Sequence, residues 1–322
     1  MSDIDQLDIS EELKESLRAS GPSPLSDLDA ETDQEIALTT DQWKEIIQAQ
    51  NEPREALTEQ ALADYDGDMQ TADIGGVTVR WLRPNHKTPG LENHVYIHFH
   101  GGAYILSGGP SSILEPLYMS KHIALDIVSV DYAMPPDHPA PAACEDGFRV
   151  YQDILKHYTA DRIFIGGTSA GAGVAIGTLL LAKQAKLPMP AAMFAGTPWA
   201  DISKTGDTLT SLAGRDRVLG QYEPFLKPAA KLYAGDLDLL NPIVSSFYGD
   251  LTHFPPTFLV SGTRDLLLSD TVRLHRKLRR ANVDADLHVF EAHSHAEYVF
   301  SFNTHEATEM FNEFKLFLLN YA

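Results

Sequence analysis

Cysteine is almost absent from this chain of 322 residues. The single cysteine, Cys144, excludes an internal disulfide and fits a reducing compartment. No run of 18 or more apolar residues occurs, so we expect no stable membrane insertion. The opening sequence, MSDIDQLDIS, has neither the basic nor the apolar stretch of a secretory signal. These absences predict a cytoplasmic protein.

Basic residues are scarce as well, and the imbalance lies mostly at one end of the chain. Lys and Arg number 25 against 45 Asp and Glu, a net charge of −20. Residues 1–73 hold 20 acidic and 4 basic side chains, so they carry −16 and the other 249 residues only −4. Such a region repels phosphate backbones, so we expect no nucleic-acid partner. It is interpreted as a solvated acidic surface, with repulsion of anionic substrates as the alternative.

The hydrophobic pattern divides the chain into a helical start and an alternating body. Residues 1–60 show helical spacing, interrupted by Gly and Pro at 21–24. Short apolar strands then alternate with helices, which predicts a mostly parallel α/β sheet covered on both faces. Residues 199–240 leave this alternation with polar, helix-prone segments. The predicted strands are 77–82, 94–99, 123–130, 162–167, 191–195, 256–261 and 285–290, and the helices of the body are 143–158, 170–186, 269–281 and 304–320.

One serine stands where a predicted strand meets a predicted helix. Gly167, Ser169 and Gly171 match the pattern G-x-S-x-G of a nucleophile elbow. In that turn the serine adopts a strained backbone conformation, and the glycines leave room for the strand and helix to approach. The hydroxyl then lies at a helix N-terminus, where free N–H groups favour negative charge. We predict Ser169 as a nucleophile, the alternative being an ordinary glycine-rich turn.

Two adjacent glycines, Gly101 and Gly102, follow the strand that ends at residue 99. Together with the N–H of Ala170, they are predicted to form an oxyanion hole. Preorganised donors of this kind each contribute about 10²–10³ in rate. We expect His100 to support the loop by hydrogen bonding, and a plain glycine turn is the alternative reading.

An acid and a base follow the last two predicted strands, in the order typical of a Ser-Asp-His triad. The candidates are Asp265 or Asp270 for the acid and His295 or His293 for the base. We favour Asp265 because Asp270 is expected at the start of the next helix, where capping explains it. We favour His295 partly on spacing and partly on a family resemblance.

Five motifs in a fixed order resemble those of the bacterial hormone-sensitive lipase family of α/β-hydrolase esterases and lipases. They are HGGAY at 100–104, IVSVDYAMPPDHPAPA at 127–142, GTSAG at 167–171, TPWAD at 197–201, and the positions of Asp265 and His295. The matching segments span roughly residues 77–320. Three residues depart from the family pattern: Ala103 replaces a third glycine, Ala133 an arginine and Leu266 a proline. None of these departures removes a group needed for the chemistry.

The resemblance implies an α/β-hydrolase core with a helical cap over the active site. Residues 1–60 and 199–240 correspond to the cap, and residues 61–198 and 241–322 to the two parts of the core. A cap would make the cleft apolar and limit the length of the acyl chain. Removing residues 1–60 is therefore expected to impair reaction with long acyl chains while the chemistry, placed in the core loops, persists.

These residues together predict a serine carboxylesterase acting on a small ester, of short to medium acyl length, with no cofactor and no metal. Ser169 attacks the carbonyl, His295 takes its proton, and Asp265 orients the imidazole and stabilises its charged form. The acidic run at 64–68 lacks the Gly and Glu of a calcium loop, so it is interpreted as a solvated turn. The alternatives are a non-catalytic small-molecule receptor and an amidase or acyltransferase using the same triad. The sequence leaves a homodimer open.

Overall fold

The described part of the chain, residues 4–19 and 38–322 of the computed structural model, is organised around an eight-stranded sheet. The strands are β1 (Gly67–Ile74), β2 (Val77–Pro84), β3 (Val95–Phe99), β4 (Asp126–Val130), β5 (Ile163–Thr168), β6 (Ala192–Gly196), β7 (Thr257–Gly262) and β8 (Ala285–Phe290). The α-helices in these residues are α1 (Glu11–Ala19), α2 (Thr40–Ala63), α3 (Leu114–Ile123), α4 (Ala142–Ile154), α5 (Ala170–Gln184), α6 (Thr208–Ser211), α7 (Lys227–Ala234), α8 (Leu268–Arg280), α9 (Glu297–Phe300) and α10 (His305–Asn320). The chain break predicted at 21–24 lies outside the described residues.

The strand order is β1-β2-β4-β3-β5-β6-β7-β8, and β2 alone runs opposite to the rest. The predicted mostly parallel sheet is therefore confirmed. Strands β3, β5, β6 and β7 are buried along their whole length, as expected of central strands with both faces covered. Their carboxyl ends meet at one edge, where the loops of interest begin.

Strand β1 was not predicted, because its sequence GDMQTADI is polar and shows little apolar alternation. It is an exposed edge strand whose hydrogen bonds come from antiparallel pairing with β2. The acidic run at 64–68 is split between the turn before β1 and the start of that strand. Its three aspartates are exposed, as expected, but the segment is only partly a turn.

Helices cover both faces of the sheet. Helices α4, α5 and α8 contribute to one apolar cluster, and α3 and α10 to another on the opposite face. Helix α5 packs closely on α4, because a Cβ at Gly177 would lie 2.4 Å from Sγ of Cys144. Burial raises the pKa of the Cys144 thiol to about 12, so this cysteine is an inert packing residue.

The segments predicted to form a cap contact the loops at the carboxyl ends of the strands. Helix α1 packs Leu13 and Leu17 against Ala292, in the loop after β8. Helix α2 begins with a capping box between Thr39 and Gln42. The assignment of residues 1–60 and 199–240 to a separate cap stays a prediction. Within residues 4–19 and 38–322, no helix combines the length and apolarity needed to cross a membrane.

The first prediction concerns the glycine that lets α5 approach β3. A Cβ at Gly171 would lie 2.0 Å from the backbone oxygen of Phe99 and 2.7 Å from that of His100. Because neither oxygen can move without displacing the sheet, Gly171→Ala should lower the free energy of unfolding by more than about 4 kcal/mol or prevent folding. Urea unfolding measures the difference.

Gly76→Ala is the matched control, because Gly76 has φ of 80° but no atom within 4 Å of the added carbon. It should lower the free energy of unfolding by about 1–2 kcal/mol, because the only penalty is that of an alanine with a left-handed backbone. Equal unfolding midpoints for the two variants would contradict the steric argument.

Candidate active site

Ser169 lies in the turn between β5 and α5 with a strained backbone. Its φ of 60° and ψ of −121° fall in a region that residues other than glycine rarely adopt. Two backbone hydrogen bonds attach it to β6 and the loop that follows. The N–H of Ser169 donates to the backbone oxygen of Gly196 at 2.7 Å, and the backbone oxygen of Ser169 accepts the N–H of Trp199 at 3.1 Å. The side chain does not cap α5, so the hydroxyl stays available at the helix N-terminus.

The two glycines of the elbow are required by the end of β3. A Cβ on either Gly167 or Gly171 would lie 2.0 Å from the oxygen of Phe99. Any larger residue would push the elbow away from β3, and with it from the loop that follows β3. This is the steric reason given above for the motif.

The loop after β3 brings Gly101 and Gly102 to the same cavity as Ser169. Gly102 has φ of 111°, and a Cβ there would lie 2.5 Å from the oxygen of Leu106. Across residues 4–19 and 38–322, no group accepts a hydrogen bond from the N–H of either glycine. Ala103, in place of the family's third glycine, keeps a left-handed φ of 53°.

Two side chains brace this loop from behind. The hydroxyl of Tyr132 donates to the oxygen of His100 at 2.7 Å, and the two rings stack at 4.1 Å. Burial lowers the pKa of His100 to about 4, so its ring is neutral and Nδ1 donates to the oxygen of Gly101 at 2.8 Å. This is the supporting part expected of His100. The hydrogen bond and ring stacking of Tyr132 also give a physical reason for its place in the motif at 127–142.

The loops after β7 and β8 bring Asp265 and His295 together. Nδ1 of His295 lies 3.1 Å from Oδ1 of Asp265. The carboxylate is fully buried and also accepts the hydroxyl of Ser261 at 2.6 Å and the N–H of Leu267 at 2.9 Å. Since Oδ1 accepts from Nδ1, the neutral imidazole presents Nε2 as its proton acceptor.

His293 occupies a different environment. Its ring stacks on Phe290 at 5.2 Å between centroids, and burial lowers its pKa to about 4. Its backbone oxygen accepts the N–H of Arg264 at 3.0 Å. A Cβ at Gly262 would lie only 2.0 Å from that same oxygen, so His293 belongs to the packing between the two loops.

Asp270 lies in the first turn of α8, where it was expected, but the expectation that it caps the helix was wrong. Leu267, not Asp270, is the N-cap of α8, and no side chain caps that end. Asp270 is buried, and Arg273 donates to it at 3.2 Å. Burial raises the pKa of Asp270 well above its usual range, and the nearby charge of Asp201 acts in the same direction.

A buried polar network beneath the serine was not predicted. The hydroxyl of Thr168 donates to Oε1 of Glu115 at 2.5 Å and lies 2.7 Å from the hydroxyl of Tyr298. Oε2 of Glu115 lies 3.1 Å from Nε2 of His98. Only Thr168 and His98 stood near a motif, and nothing in the sequence connected them with Glu115. The network fixes the residue that precedes Ser169.

The elbow of Ser169 and the loops after β3 and β8 line a cavity of about 430 Å³. Its wall includes Ser169, His295, Gly101 and Gly102. Both predicted cap segments also contribute to it. From α2 come Gln50, Arg54 and Leu57, and from residues 217–226 come Arg217, Val218, Leu219, Phe225 and Leu226.

The family model for the alpha/beta hydrolase fold matches residues 96–299. The chain belongs to the α/β-hydrolase family. An acetyl-hydrolase from Streptomyces hygroscopicus is 30% identical to this α/β-hydrolase over 67% of the chain and 70% of its own length. A hormone-sensitive lipase from Mus musculus is 28% identical over 62% of the chain but only 25% of its own length.

Solved structures extend the likeness to the whole fold. The crystal structure of an esterase superposes with a TM-score of 0.92 and 39% identity, covering 97% of this chain and 94% of its own. An esterase from the bacterial hormone-sensitive lipase family gives 0.80 and 25% identity, covering 98% and 99%. The predicted α/β-hydrolase fold, the family resemblance and the assignment to the esterase class of hydrolases are confirmed.

The second prediction separates the two histidines of this α/β-hydrolase. The ring of His295 contacts Asp265, whereas that of His293 stacks on Phe290. His295→Ala should therefore lower kcat/KM for p-nitrophenyl acetate by about 10³-fold or more, as removal of a triad member does. His293→Ala should lower it by less than about 10-fold, an effect on packing. Initial rates of both purified variants at one pH make the comparison. The reverse ranking would contradict the assignment.

Proposed function

We propose that this α/β-hydrolase hydrolyses carboxylic esters through a covalent acyl intermediate on Ser169. The observation that carries the proposal is the 3.1 Å contact of His295 with Asp265 beside a cavity that Ser169 also lines. The unbonded N–H groups of Gly101 and Gly102 on the same wall support it. This combination serves acyl transfer, whereas a receptor would need neither a base nor free donors.

In the first half of the reaction, Nε2 of His295 accepts the proton of the Ser169 hydroxyl as its oxygen attacks the ester carbonyl. The N–H groups of Gly101, Gly102 and Ala170 stabilise the oxyanion. The imidazolium, held by Asp265, then gives its proton to the leaving alcohol. Water repeats the sequence on the acyl-serine and releases the acid. Every proton step uses the one imidazole, so no cofactor is needed to balance it.

The cavity supports an ester with a short to medium acyl chain. Its volume of about 430 Å³ suits a small ligand, and its cap-side wall includes Leu57 and Phe225. Amide hydrolysis and acyl transfer use the same groups, and no feature of the site favours either of them over ester hydrolysis.

The third prediction tests the nucleophile. Ser169→Ala removes only a hydroxyl from a preformed turn, so the variant should fold like the wild type but lose hydrolysis of p-nitrophenyl butyrate by at least about 10³-fold. It should also no longer be labelled by a small organophosphate, detected as a mass increase of the intact protein. Labelling of the variant to the wild-type extent would refute the assignment of Ser169.

The fourth prediction concerns the wall that α2 provides. Leu57 is 45% exposed, and a long acyl chain in the cavity would cover it. Leu57→Ala removes that contact, so kcat/KM for p-nitrophenyl octanoate should fall by about 5- to 20-fold, because covering one apolar side chain contributes about 1–3 kcal/mol. The value for the acetate ester should change by less than about 2-fold. A series from acetate to octanoate gives the profile.

Glu59→Ala is the matched control, since Glu59 is an exposed residue of α2 outside the cavity wall. Its chain-length profile should equal that of the wild type. A Leu57→Ala profile parallel to the wild type at every chain length would argue that α2 plays no part in acyl selection.

A further inference from the structure

A carboxylate outside the triad lies against both the acid loop and the base loop. Asp216 belongs to residues 199–240, between β6 and β7, and is only 2% exposed. Its Oδ2 accepts the backbone N–H of Leu266 at 2.8 Å and the backbone N–H of His295 at 3.2 Å. Leu266 directly follows Asp265. One oxygen atom of Asp216 therefore binds the backbone of both loops, next to Asp265 in one and at His295 in the other.

The other oxygen of Asp216 fixes the carboxylate in its own loop. Oδ1 accepts the N–H of Val218 at 2.8 Å and the N–H of Leu219 at 3.0 Å. The backbone oxygen of Asp216 accepts the N–H of Gly220 at 3.0 Å. All the side-chain contacts are therefore N–H donors. A protonated carboxyl would direct its O–H at a donor, so the site accommodates the ionised form.

Asp216 also places a second negative charge beside the imidazole of His295. The pKa of Asp216 is raised, first by burial and then by the charge of Asp265, although His295 and the N–H groups that the carboxylate accepts act in the opposite direction. Two cations of this region are engaged elsewhere. Arg217 binds Glu297 at 2.9 and 3.0 Å, and Arg273 binds Asp201 and Asp270 at 2.8 and 3.2 Å. Two other ionisable groups lie in the base loop: Glu291, and His293, whose pKa burial lowers to about 4 so that its ring is neutral.

We propose that Asp216 is a positioning residue for the base. Its hydrogen bonds fix the loops of Asp265 and His295 relative to each other, and its charge favours the imidazolium that forms when Ser169 attacks. The inference rests on the proposed function and deepens it. Residues 199–240 would then take part in the chemistry as well as shape access to the cavity.

The sign of the effect follows from the charge. Asp216→Asn removes a negative charge near His295, so the imidazolium that forms during the reaction becomes less stable. The reaction needs the neutral imidazole, so the acid limb of the kcat/KM profile should move to lower pH by about one unit. The plateau kcat should fall by about 10- to 100-fold, because the loops are less well fixed and the transition-state charge is less stabilised.

The experiment compares Asp216→Asn and Asp216→Glu with the wild type and with a matched control. Asp238→Asn serves as the control, because Asp238 also accepts an N–H two residues on, from Leu240 at 2.8 Å, but is exposed. Hydrolysis of p-nitrophenyl acetate is followed between about pH 5 and 9. The rate of organophosphate labelling of Ser169 over the same range gives a second readout of the base, and thermal unfolding reports on stability.

We expect the acid limb to shift in Asp216→Asn by both readouts and to stay within about 0.3 pH unit of the wild type in Asp216→Glu, which keeps the charge but misplaces it. Asp238→Asn should match the wild type throughout.

An Asp216→Asn enzyme that is less stable but has an unmoved acid limb would overturn the proposal, as would an unchanged plateau kcat. If Asp216→Asn does not fold, a shift of about one unit in Asp216→Glu overturns it instead. A wild-type protein that neither hydrolyses esters nor is labelled at Ser169 would refute the proposed function itself.

Discussion

The site depends on the contact between the end of β3 and the turn that follows β5. The oxygen of Phe99 occupies the space where a Cβ of Gly167 or Gly171 would stand. The same strand end begins the loop of Gly101 and Gly102. One close backbone approach therefore sets two distances together, that of the strained serine from the sheet and that of the serine from the N–H donors. Both are fixed before any substrate arrives, which is the preorganisation that oxyanion stabilisation requires.

The proposed acid and base are held in a different way, by buried carboxylates that each accept several hydrogen bonds. A buried charge is costly unless hydrogen-bond donors compensate it. Asp265 meets this condition with Ser261, Leu267 and His295, and Asp216 meets it with backbone N–H groups alone. Because two such carboxylates border the loop of His295, the imidazolium has stabilising charges close to it in a region from which water is largely excluded.

The sequence predicted those parts of the protein whose physical causes are local. Apolar runs such as 162–167 and 191–195 indicated the central strands. The glycine spacing indicated the elbow, because only glycine avoids a clash with the backbone there. Strand β1 was not predicted, because it is held by pairing with β2, and no local sequence pattern indicates that pairing. Asp270 was misread for the same reason, since its partner Arg273 and its burial depend on the tertiary fold.

The groups that were missed share a property: each acts across a long interval of sequence. Glu115 reaches Thr168 across 53 residues and Asp216 reaches His295 across 79. An aspartate in a polar, helix-prone segment has no periodicity or motif that distinguishes it from a solvated one. Only the fold shows that the chain between β6 and β7 returns to the active site.

The two segments predicted to form a cap also contact the loop of Gly101 and Gly102. Asn51 of α2 accepts the N–H of Ser107 at 2.9 Å, and Tyr104 donates to the oxygen of Trp199 at 2.7 Å. Tyr104 also stacks on Tyr233 of α7 at 3.9 Å between ring centroids. Both segments are thus attached to the loop that carries Gly101 and Gly102. A change in either segment that shifted these contacts would alter the direction of the N–H donors as well as the shape of the cavity, so substrate selection and rate are physically coupled in this fold.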